Sequence, residues 1–339
     1  MVAQKAKVTI FDVAKASGVS SSAVSYALNG KPGVSDATRE KVLQVARKLG
    51  WRPNGAAQSL AQSRTRRIGL VLGYDPQLLS AEPYIMRLIS GLGSALEERD
   101  YSLLVRMSMD DDDEVSILED WIATGNVDAL LLLNLEIGDP RMKNNPQMPC
   151  LALADSSLTS GLPTLMSDDA AASGTMIRHL ALFGHKNIAR VAGPEELGHS
   201  YIRDAAFSEI TTELGMRYRC LHTDYTPESG AEATKRLLSV EPRPTAIIYD
   251  NDVMALAGES VASVKGVRVP EDLSIISWGD SFMNVAAHPP ITALSRNILE
   301  SGRLAAQLML KLIEGEDVEN VEEPPYELIE RPSPAPAAQ

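Results

Sequence analysis

VTIFDVAKASGVSSSAVSYALNGKPGVSDATREKVLQVARKLGWRPNGAAQSL, residues 8–60, is the stretch that decides the fold of the N-terminal part of the chain. Thr9 can cap a first helix, because Asp12 follows it at close to the capping-box spacing. That helix ends near Gly18, since glycine adopts the left-handed turn conformation at no steric cost. Ser20 then offers a second N-cap directly after the turn. The pattern predicts two short helices joined by a tight turn.

Two such helices fit a helix-turn-helix, in which the second helix, here 21–28, is sized for the major groove of DNA. Asn29 and Gly30 end this second helix, and Ser35 caps a third over 36–49 that stops at Gly50. Apolar side chains recur at helical spacing in all three helices. The predicted core of this bundle comprises Val13, Val19, Val24, Leu28, Val42, Leu43, Ala46 and Leu49.

Charge separates a DNA-binding bundle from one that binds only protein. Residues 1–67 carry 12 Lys and Arg side chains, and their only acids are Asp12, Asp36 and Glu40. The rest of the chain carries 20 basic and 42 acidic side chains, and the whole has a net charge of −13. Since basic side chains are attracted to the phosphates of DNA, we expect the basic end to meet the duplex while the acidic body stays away from it.

This segment resembles the headpiece of the LacI/GalR family of bacterial transcriptional repressors. The match is long and ordered, and therefore specific. Its residues are Val8, Thr9, Ile10, Asp12, Val13, Ala14, Gly18, Val19, Ser20, Val24, Ser25, Asn29, Val34, Ser35, Thr38, Arg39, Pro53, Asn54, Ala57 and Leu60. The resemblance implies DNA contacts from Thr9, Ser20, Ser21, Ser22, Ser25, Tyr26, Asn29, Asn54, Ala57 and Leu60.

One departure from the family pattern concerns base recognition. Tyr26 stands where the family often has an arginine after Val-Ser. Base reading would then rest on serine hydroxyls and this tyrosine, which are adaptable hydrogen-bonding groups that do not specify one base. The operator sequence therefore does not follow from the chain.

A hinge helix and linker, residues 53–66, are predicted after the headpiece at 1–52. Pro53 disfavours helical geometry just before itself, and Asn54 can cap a short helix that is too short to be stable alone in water. In the family resembled, this helix orders on operator DNA beside its dimer mate and wedges a leucine into the minor groove. Leu60 stands at that position, and ordinary helix packing is the alternative for it.

From Arg67 onward, short apolar strands alternate with amphipathic helices. Continuous apolar strands of this kind predict parallel sheets covered on both faces. Two successive sets predict two doubly wound subdomains with a ligand crevice at the carboxyl ends of their strands. Motifs and order resemble the periplasmic-binding-protein-like core of the same family. The predicted fold is thus an all-α helix-turn-helix headpiece plus an α/β core of two parallel-sheet subdomains.

The predicted core spans 67–332. Its first subdomain covers about 67–166 plus 298–323, and its second covers about 167–297 plus 324–332. A Pro/Ala-rich tail follows at 333–339, and it lacks the heptads that a coiled coil needs.

The resemblance places effector-binding residues at strand ends. They are Tyr84, Asp155, Arg203, Tyr225, Asn251, Trp278 and Asp280. The guanidinium of Arg203 suits vicinal hydroxyls or a carboxylate, with a structural ion pair as the alternative. Tyr225 and Trp278 can offer flat surfaces to a sugar ring, or they can fill the core. Gly279 stands where the family often has an acid that holds sugar hydroxyls, and Asp280 has a more structural role in relatives, so the expected carbohydrate is an open assignment.

Other features argue against catalysis and export. The chain shows no nucleophile elbow or phosphate loop, and its histidines lack metal-ligand spacing, so we predict no enzyme, cofactor or metal. Cys150 and Cys220 stand in apolar surroundings and are expected to be buried free thiols. No export signal or bilayer-spanning apolar run is found, which indicates a cytoplasmic protein without a membrane partner.

The predicted function is that of a homodimeric transcriptional regulator, most often a repressor, that binds double-stranded operator DNA and responds to a small molecule. A solute-binding protein without a DNA-binding role and an α/β enzyme are the alternatives. The first would need an export signal, and the second would need a phosphate loop or an acid/base pair.

Overall fold

The structure is a computed structural model, and it describes residues 8–51, 64–73, 79, 83–108, 110–142 and 147–337. The chain forms two compact units, Met1–Thr65 and Arg66–Gln339. The first unit is the headpiece and the second is the core.

Within residues 8–51, the headpiece contains three helices whose ends agree with the sequence prediction: α1 (Ile10–Ser17), α2 (Ser21–Leu28) and α3 (Asp36–Leu49). Thr9 and Asp12 form a reciprocal capping box at the start of α1. The hydroxyl of Ser20 accepts a hydrogen bond from the backbone N–H of Ala23, which caps α2. Gly50 takes φ of 68° after α3, so its left-handed conformation ends that helix as expected.

The headpiece core differs from the prediction at its C-terminal end. The buried hydrophobic side chains among its described residues are Val13, Ala14, Val24, Ala27, Val42 and Ala46. Leu49 is 38% exposed, and Leu43 is only partly buried, so neither belongs to the core as predicted. The turn at Gly50 brings the backbone N–H of Trp51 to the carbonyl of Ala46, and the Trp51 side chain packs against the bundle where Leu49 was expected.

The first lobe of the core is built on a six-stranded sheet in which every pairing is parallel, with the order β11-β5-β4-β3-β1-β2. The strands are β1 (Arg67–Leu72), β2 (Ser102–Met107), β3 (Ala129–Leu132), β4 (Cys150–Leu153), β5 (Thr164–Met166) and β11 (Val321–Glu322). Three helices cover its two faces: α4 (Pro83–Glu97) and α11 (Ile298–Glu314) on one, α5 (Asp111–Thr124) on the other.

Helices α4 and α11 approach closely because each has a glycine at the crossing. A Cβ atom on Gly91 would lie 2.0 Å from the carbonyl oxygen of Leu299, and one on Gly302 would lie 2.3 Å from that of Leu88. No larger residue fits at either position without moving a backbone. This contact holds α11, which follows most of the second lobe in the chain, against the first lobe.

The second lobe holds another six-stranded sheet, with the order β12-β10-β9-β8-β6-β7. The strands are β6 (Asn187–Ala192), β7 (Arg217–His222), β8 (Ala246–Tyr249), β9 (Ser274–Trp278), β10 (Thr292–Ser295) and β12 (Glu327–Ile329). All pairs are parallel except β10 with β12. The helices are α6 (Asp169–Leu182), α7 (Gly198–Glu213), α8 (Pro227–Leu237), α9 (Asp252–Val264) and α10 (Phe282–Ala286).

The layers of the second lobe complete the predicted fold class. Helices α6 and α7 pack on one face of the sheet, and α8 and α9 pack on the other. The prediction of a helix-turn-helix followed in sequence by two doubly wound subdomains with parallel sheets is confirmed. The sequence pattern did not reveal α10, β10 or β11, because two to five residues are too few for a periodic signal. Among the described residues, no helix is both long and apolar enough to cross a bilayer.

The Pro/Ala-rich tail is bonded to the second lobe rather than forming a separate segment. The hydroxyl of Ser333, which is fully buried, donates to the carbonyl of Ile275 and accepts from the N–H of Thr292. The N–H of Ala337 donates to the carbonyl of Phe183. The tail therefore extends the second lobe to the end of the described chain.

Candidate functional site

A cavity of about 170 Å³ lies between the two lobes of the core. Because parallel strands present their carboxyl ends at one sheet edge, the segments that follow the strands line it. Leu133 and Asn134 follow β3 and Asp155 follows β4 on the side of the first lobe, while Asp250 and Asn251 follow β8 in the second. The topology thus builds a ligand-sized space where the sequence predicted a crevice.

All seven residues predicted to bind an effector line this one cavity: Tyr84, Asp155, Arg203, Tyr225, Asn251, Trp278 and Asp280. They come from both lobes and from positions almost 200 residues apart in the chain. Their roles in binding stay predictions, but their placement together agrees with what the family resemblance implied.

Arg203 is buried in the wall of the cavity and is paired with two acidic side chains. Its Nε and Nη2 lie 3.2 and 3.0 Å from Oδ1 of Asp169, and its Nη1 lies 3.5 Å from Oδ2 of Asp250. The guanidinium carbon lies 3.6 Å from the ring centre of Trp278, a cation–π distance. Arg203 therefore forms the structural ion pairs weighed from the sequence and also lines the cavity, while its contact with an effector stays a prediction.

The same contact limits how Trp278 can act as a flat surface for a sugar. Arg203 covers one face of the indole, and Tyr326 packs edge-on with ring centres 5.7 Å apart. Only 6% of Trp278 is exposed. The indole thus contacts Arg203 and Tyr326 and leaves little free surface for a ligand.

A second arginine, which the sequence analysis did not single out, pairs with Asp250 in this wall. Arg190 is fully buried in β6, and its Nε and Nη2 lie 2.7 and 2.6 Å from the two carboxylate oxygens of Asp250. Its Nη1 donates to Asp204. A charged residue inside the apolar strand Ile188–Ala192 was the available signal, because a buried arginine needs acidic partners.

The acids of this network are held in their charged form. Burial by itself would raise the pKa of Asp250, but Arg190 and Arg203 outweigh it and lower that pKa to about 2. Burial likewise opposes ionisation of Asp169, and Arg203 leads the interactions that lower its pKa. The wall of the cavity therefore presents fixed, paired charges at neutral pH.

His199 was passed over because its spacing fits no metal site, yet it lines the cavity beside Tyr225. Its Nε2 lies 2.7 Å from the Tyr225 hydroxyl, and the two rings are stacked. Burial and then the nearby Arg203 lower the pKa of His199 to about 4, so the imidazole is neutral at neutral pH. A Cβ atom on Gly193 would lie 2.0 Å from the Tyr225 ring, so only glycine permits this position of the ring.

Three further predicted ligands are already hydrogen bonded within the protein. The Asn251 side chain accepts from the N–H of Met254 and donates to the carbonyl of Tyr225. Asp155 accepts from the backbone N–H and hydroxyl of Ser157. The carboxylate of Asp280 pairs with Arg331.

The Asp280 pair has oxygen-to-nitrogen distances of 2.9 Å. It agrees with the more structural role that the resemblance gave this acid. Asn251 and Asp155 are likewise oriented by their neighbours before any ligand arrives, which lowers the entropy that binding must remove.

The two lobes touch on either side of the cavity. Arg87 of α4 donates through Nη1 to the carbonyl of Asp280, at 2.7 Å. The N–H of Gly198 donates to the carbonyl of Leu135 at 2.8 Å, and Glu136 forms a β-bridge with Leu197. A ligand that altered these contacts would alter how the lobes close.

The headpiece presents several of its predicted DNA-binding residues to solvent. Ser22, Tyr26 and Asn29 are exposed along α2, and Tyr26 is 44% exposed. Asn29 donates through Nδ2 to the carbonyl of Ser25 at 2.9 Å, which steadies the end of the helix. Thr9 is also exposed, whereas Ser21 and Ser25 are partly buried. Asn54, Ala57 and Leu60 lie outside the described residues.

Arg39 fastens the second helix to the third, a role that its place in the family signature did not reveal. Its Nη1 lies 3.1 Å from the carbonyl of Ala27, and its Nη2 lies 2.9 Å from that of Lys31. These bonds use one carbonyl group in the last turn of α2 and one just beyond it, where a cation is favourable. The orientation of α2 is thus set by a side chain of α3.

One cysteine prediction is wrong in part. Cys150 is buried among apolar side chains as expected, but Cys220 is only half-buried. The Sγ atom of Cys220 lies 3.7 Å from both Asp204 and His222. The reason is that β7 is an edge strand, and its alternate residues meet the polar first half of α7.

Comparisons with known proteins agree with this architecture. The family described as "Bacterial regulatory proteins, lacI family" matches residues 9–54, and that described as "Periplasmic binding protein-like domain" matches residues 177–333. The chain is 95% identical to a solved LacI family transcriptional regulator from Bifidobacterium animalis subsp. lactis DSM 10140. That match covers 81% of this chain and all of the other, with a TM-score of 0.76. The chain belongs to the LacI family of bacterial regulatory proteins.

Two more distant structures cover nearly all of this LacI-family chain. The complex of the transcriptional regulator CelR with cellobiose is 29% identical over 96% of this chain and 100% of that chain, with a TM-score of 0.72. The lac repressor dimer bound to operator and the anti-inducer ONPF is 25% identical over 97% of this chain and 100% of that chain, with a TM-score of 0.87. These relatives are transcription regulators, so the enzyme alternative is excluded.

Proposed function

We propose that the protein is a transcriptional repressor that binds a near-palindromic operator as a homodimer, in the cytoplasm, under the control of a small carbohydrate in the cavity of the core. The observation that carries this proposal is the cavity itself, because residues of both lobes line it and contacts between the lobes flank it. A ligand held there can favour one closure of the lobes over another.

The chemistry of the wall supports a polyhydroxylated ligand. Arg203 and Asp169 place a guanidinium and a carboxylate side by side, and Asp155 adds a carboxylate from the opposite lobe. Paired donors and acceptors of this kind match vicinal hydroxyl groups. The solved complex of the relative CelR with cellobiose supports the same ligand class.

The size of the cavity favours a small ligand. The cavity measures about 170 Å³. That is smaller than the range of about 300–1,000 Å³ usual for drug-sized ligands. A compact, polar molecule fits the space without opening the contact between Arg87 and Asp280.

Control of DNA binding requires that the ligand distinguish two states of the core. A ligand shifts the equilibrium between states only by its difference in affinity for them. The bonds of Arg87 and Gly198 join the two lobes, so a change in lobe closure would change them. In the proposed repressor, this change reaches the DNA through residues 53–66, with Leu60 as the minor-groove wedge.

A thermal-shift screen of the full-length protein tests the ligand class. Monosaccharides and disaccharides are compared with nucleosides and phosphosugars, and each hit is added to an operator-binding assay. We expect a saccharide to raise the melting temperature and to change operator affinity by about 5–150-fold, the usual range of allosteric coupling. A nucleoside hit with no saccharide hit would contradict the proposed class.

A substitution at the wall assigns any hit to this cavity. Arg203→Lys keeps the charge but loses the planar fork of donors, so the ligand response should fall at least tenfold while operator affinity stays near that of the wild type. Arg268→Lys, at an exposed pair with Asp272, is the matched control. An unchanged response in Arg203→Lys would remove Arg203 from the binding site.

Exposed apolar side chains offer a dimer surface on both lobes. Met86 and Phe282 are 55% and 73% exposed, and each lies within two residues of the hydrogen bond between Arg87 and Asp280. Val285 on α10 and Leu299 on α11 are also exposed. Large exposed apolar groups on neighbouring elements are typical of association surfaces. The lac repressor relative was solved as a dimer.

Sedimentation of the double variant Phe282→Asp, Val285→Asp tests this surface. We expect it to sediment as a monomer at concentrations where the wild type is a dimer, because charges placed in an apolar interface lose their hydration. Val264→Asp, at the C-terminal end of α9 and even more exposed to solvent before substitution, should leave the dimer intact. A dimeric double variant would place the interface elsewhere.

The operator contact of the hinge has its own test. Leu60→Ala should weaken binding to the selected operator far more than binding to random duplex DNA, because only the specific complex kinks the DNA around the wedge. Equal losses on the two DNA molecules would contradict a wedge role.

A further inference from the structure

Three side chains of metal-ligating type meet on the second lobe without lining the cavity: Asp204, Cys220 and His222. Successive even positions of β7 point to one face, so Cys220 and His222 both face helix α7. The stacking of Phe207 on Tyr218, with ring centres 5.4 Å apart, fixes the register of helix on strand. Asp204 lies one helical turn before Phe207, and this places its carboxylate over the next two strand residues on that face.

The distances between the three donor groups are close to those of a metal centre. The Cys220 Sγ atom lies 3.7 Å from Asp204 Oδ1 and 3.7 Å from His222 Nε2, and His222 Nε2 lies 3.1 Å from Asp204 Oδ2. Zinc bonds of about 2.3 Å to sulfur and about 2.0–2.1 Å to nitrogen or oxygen, at tetrahedral angles, separate the ligand atoms by about 3.3–3.6 Å. The three groups need only small movements to share one ion.

The imidazole of His222 is oriented as a metal ligand is. Its Nδ1 lies 2.9 Å from the carbonyl oxygen of Gly193, which can only accept, so Nδ1 carries a proton. Metal-ligating histidines commonly donate their other ring N–H to such a carbonyl. The remaining Nε2 faces the Asp204 carboxylate, and two acceptors at 3.1 Å attract each other only with a cation, either a proton or a metal ion, between them.

The carboxylate is held from its other side. Arg190 donates through Nη1 to Oδ1 of Asp204, and Arg190 is itself fixed by Asp250. This leaves Oδ2 directed at His222. The side chains of Asp204 and His222 are 33% and 27% exposed, so solvent reaches the cluster and can supply a fourth ligand.

We propose that Asp204, Cys220 and His222 bind a divalent transition-metal ion of the zinc type, with one coordination position open to water. A mixed sulfur, nitrogen and oxygen donor set is suited to zinc and unsuited to magnesium or calcium, which take oxygen ligands. The site differs from the effector cavity in residues, chemistry and location on the lobe.

The site is connected to the cavity wall through one buried residue. Arg190 bonds Asp204 on one side and Asp250 on the other, and Asp250 approaches Arg203. A metal ion bound to Asp204 therefore changes the hydrogen bond between Asp204 and Arg190. Arg190 in turn pairs with Asp250 in the cavity wall. The effect of bound metal on the affinity for the effector rests on the proposed function. Metal binding itself is measured without any effector.

The test is titration of chelator-treated, untagged full-length protein with Zn²⁺ by calorimetry and with Co²⁺ by absorption. We expect one ion per chain and an absorption band from charge transfer between the Cys220 thiolate and Co²⁺. Loss of an outer-shell partner typically costs 10–100-fold in metal affinity, so Cys220→Ser and His222→Gln should each lose at least that much. Cys150→Ser, which removes the buried cysteine of the first lobe, should bind as the wild type does.

Two results would overturn the proposal. One is the absence of a one-to-one thiolate–Co²⁺ complex in the wild-type protein, which needs no variant and so does not depend on variant folding. The other is a Co²⁺ band that persists in Cys220→Ser and disappears in Cys150→Ser. Both are independent of the effector screen, so they leave the proposed regulator function untouched.

Discussion

The headpiece and the core differ in where their charged side chains lie and in what these side chains pair with. In the headpiece, polar bonds such as those of Thr9 with Asp12 and of Ser20 with Ala23 join residues three apart, and the excess of basic over acidic side chains attracts a polyanion. In the core, Arg190 and Arg203 are buried and pair with acids that lie 14–60 residues away in sequence. The difference indicates a division of labour: exposed charge suits DNA, whereas fixed buried charge suits discrimination of a small ligand.

The largest effect that separates the two regions should come from Asp250→Ala. It removes the bidentate partner of the fully buried Arg190 and one neighbour of Arg203. Breaking a buried ion pair on one side typically costs about 3–5 kcal/mol, since the remaining charge stays desolvated. We expect the free energy of unfolding of the core in urea to fall by that amount. The fluorescence of Trp121 and Trp278 reports the unfolding.

The matched control is Asp272→Ala, which breaks the exposed pair with Arg268. Exposed pairs are screened by water and contribute little, so its unfolding curve should overlay that of the wild type. If both aspartate variants shifted alike, the contrast between buried and exposed charge would be contradicted.

A smaller effect should appear as pH dependence in the core. The pKa of His199 is lowered to about 4 by burial, from about 6.5 in an unfolded chain. Between these values the unfolded chain binds a proton that the folded chain does not, so stability falls as pH is lowered from about 6.5 to about 4. The full loss is on the order of 3 kcal/mol.

The comparison with His199→Gln isolates this contribution. Burial also lowers the pKa of His185, so His185 makes the unfolding free energy fall with falling pH in both proteins. Burial raises the pKa of Asp252 and Glu259, and these two acids have the opposite effect in both proteins. We expect the difference in unfolding free energy between wild type and variant to change across this pH range. A constant difference would mean that His199 is protonated in the folded core.

The smallest effect should be that of Ser35→Ala in the headpiece. The Ser35 hydroxyl accepts from the N–H of Thr38 at the start of α3, and loss of such a cap costs about 1 kcal/mol. Hydrogen exchange of the amides in α1–α3 should quicken about fivefold, while amides of the core exchange unchanged. Faster exchange in both units would show that they do not unfold separately.

The predictability of each region follows from the range of its contacts. The helices of the headpiece were predicted to the residue because caps such as Ser20 and Ser35 act within three residues. The seven cavity residues were placed by the strand-end rule together with the family resemblance. Arg190 and Asp250 were missed because their pairing is set by the register of β6 with β8, which no local pattern encodes.

His199 and Cys220 illustrate the same limit. A search for metal spacing along the sequence dismissed His199, whose partner Tyr225 lies 26 residues on. Cys220 looked apolar beside Leu221, although its strand turns it toward Asp204 of a separate helix. Sequence periodicity fixes which way a side chain points, but the packing of helix on sheet decides what it meets.

The most direct test of the division of labour is a gel-shift comparison of the full chain with the fragment Arg66–Gln339 on the same duplex DNA across a salt series. We predict that the full chain binds with a steep salt dependence and that the fragment binds at least about 100-fold more weakly, because the basic headpiece supplies the phosphate contacts. A fragment that bound duplex DNA as tightly as the full chain would contradict the account.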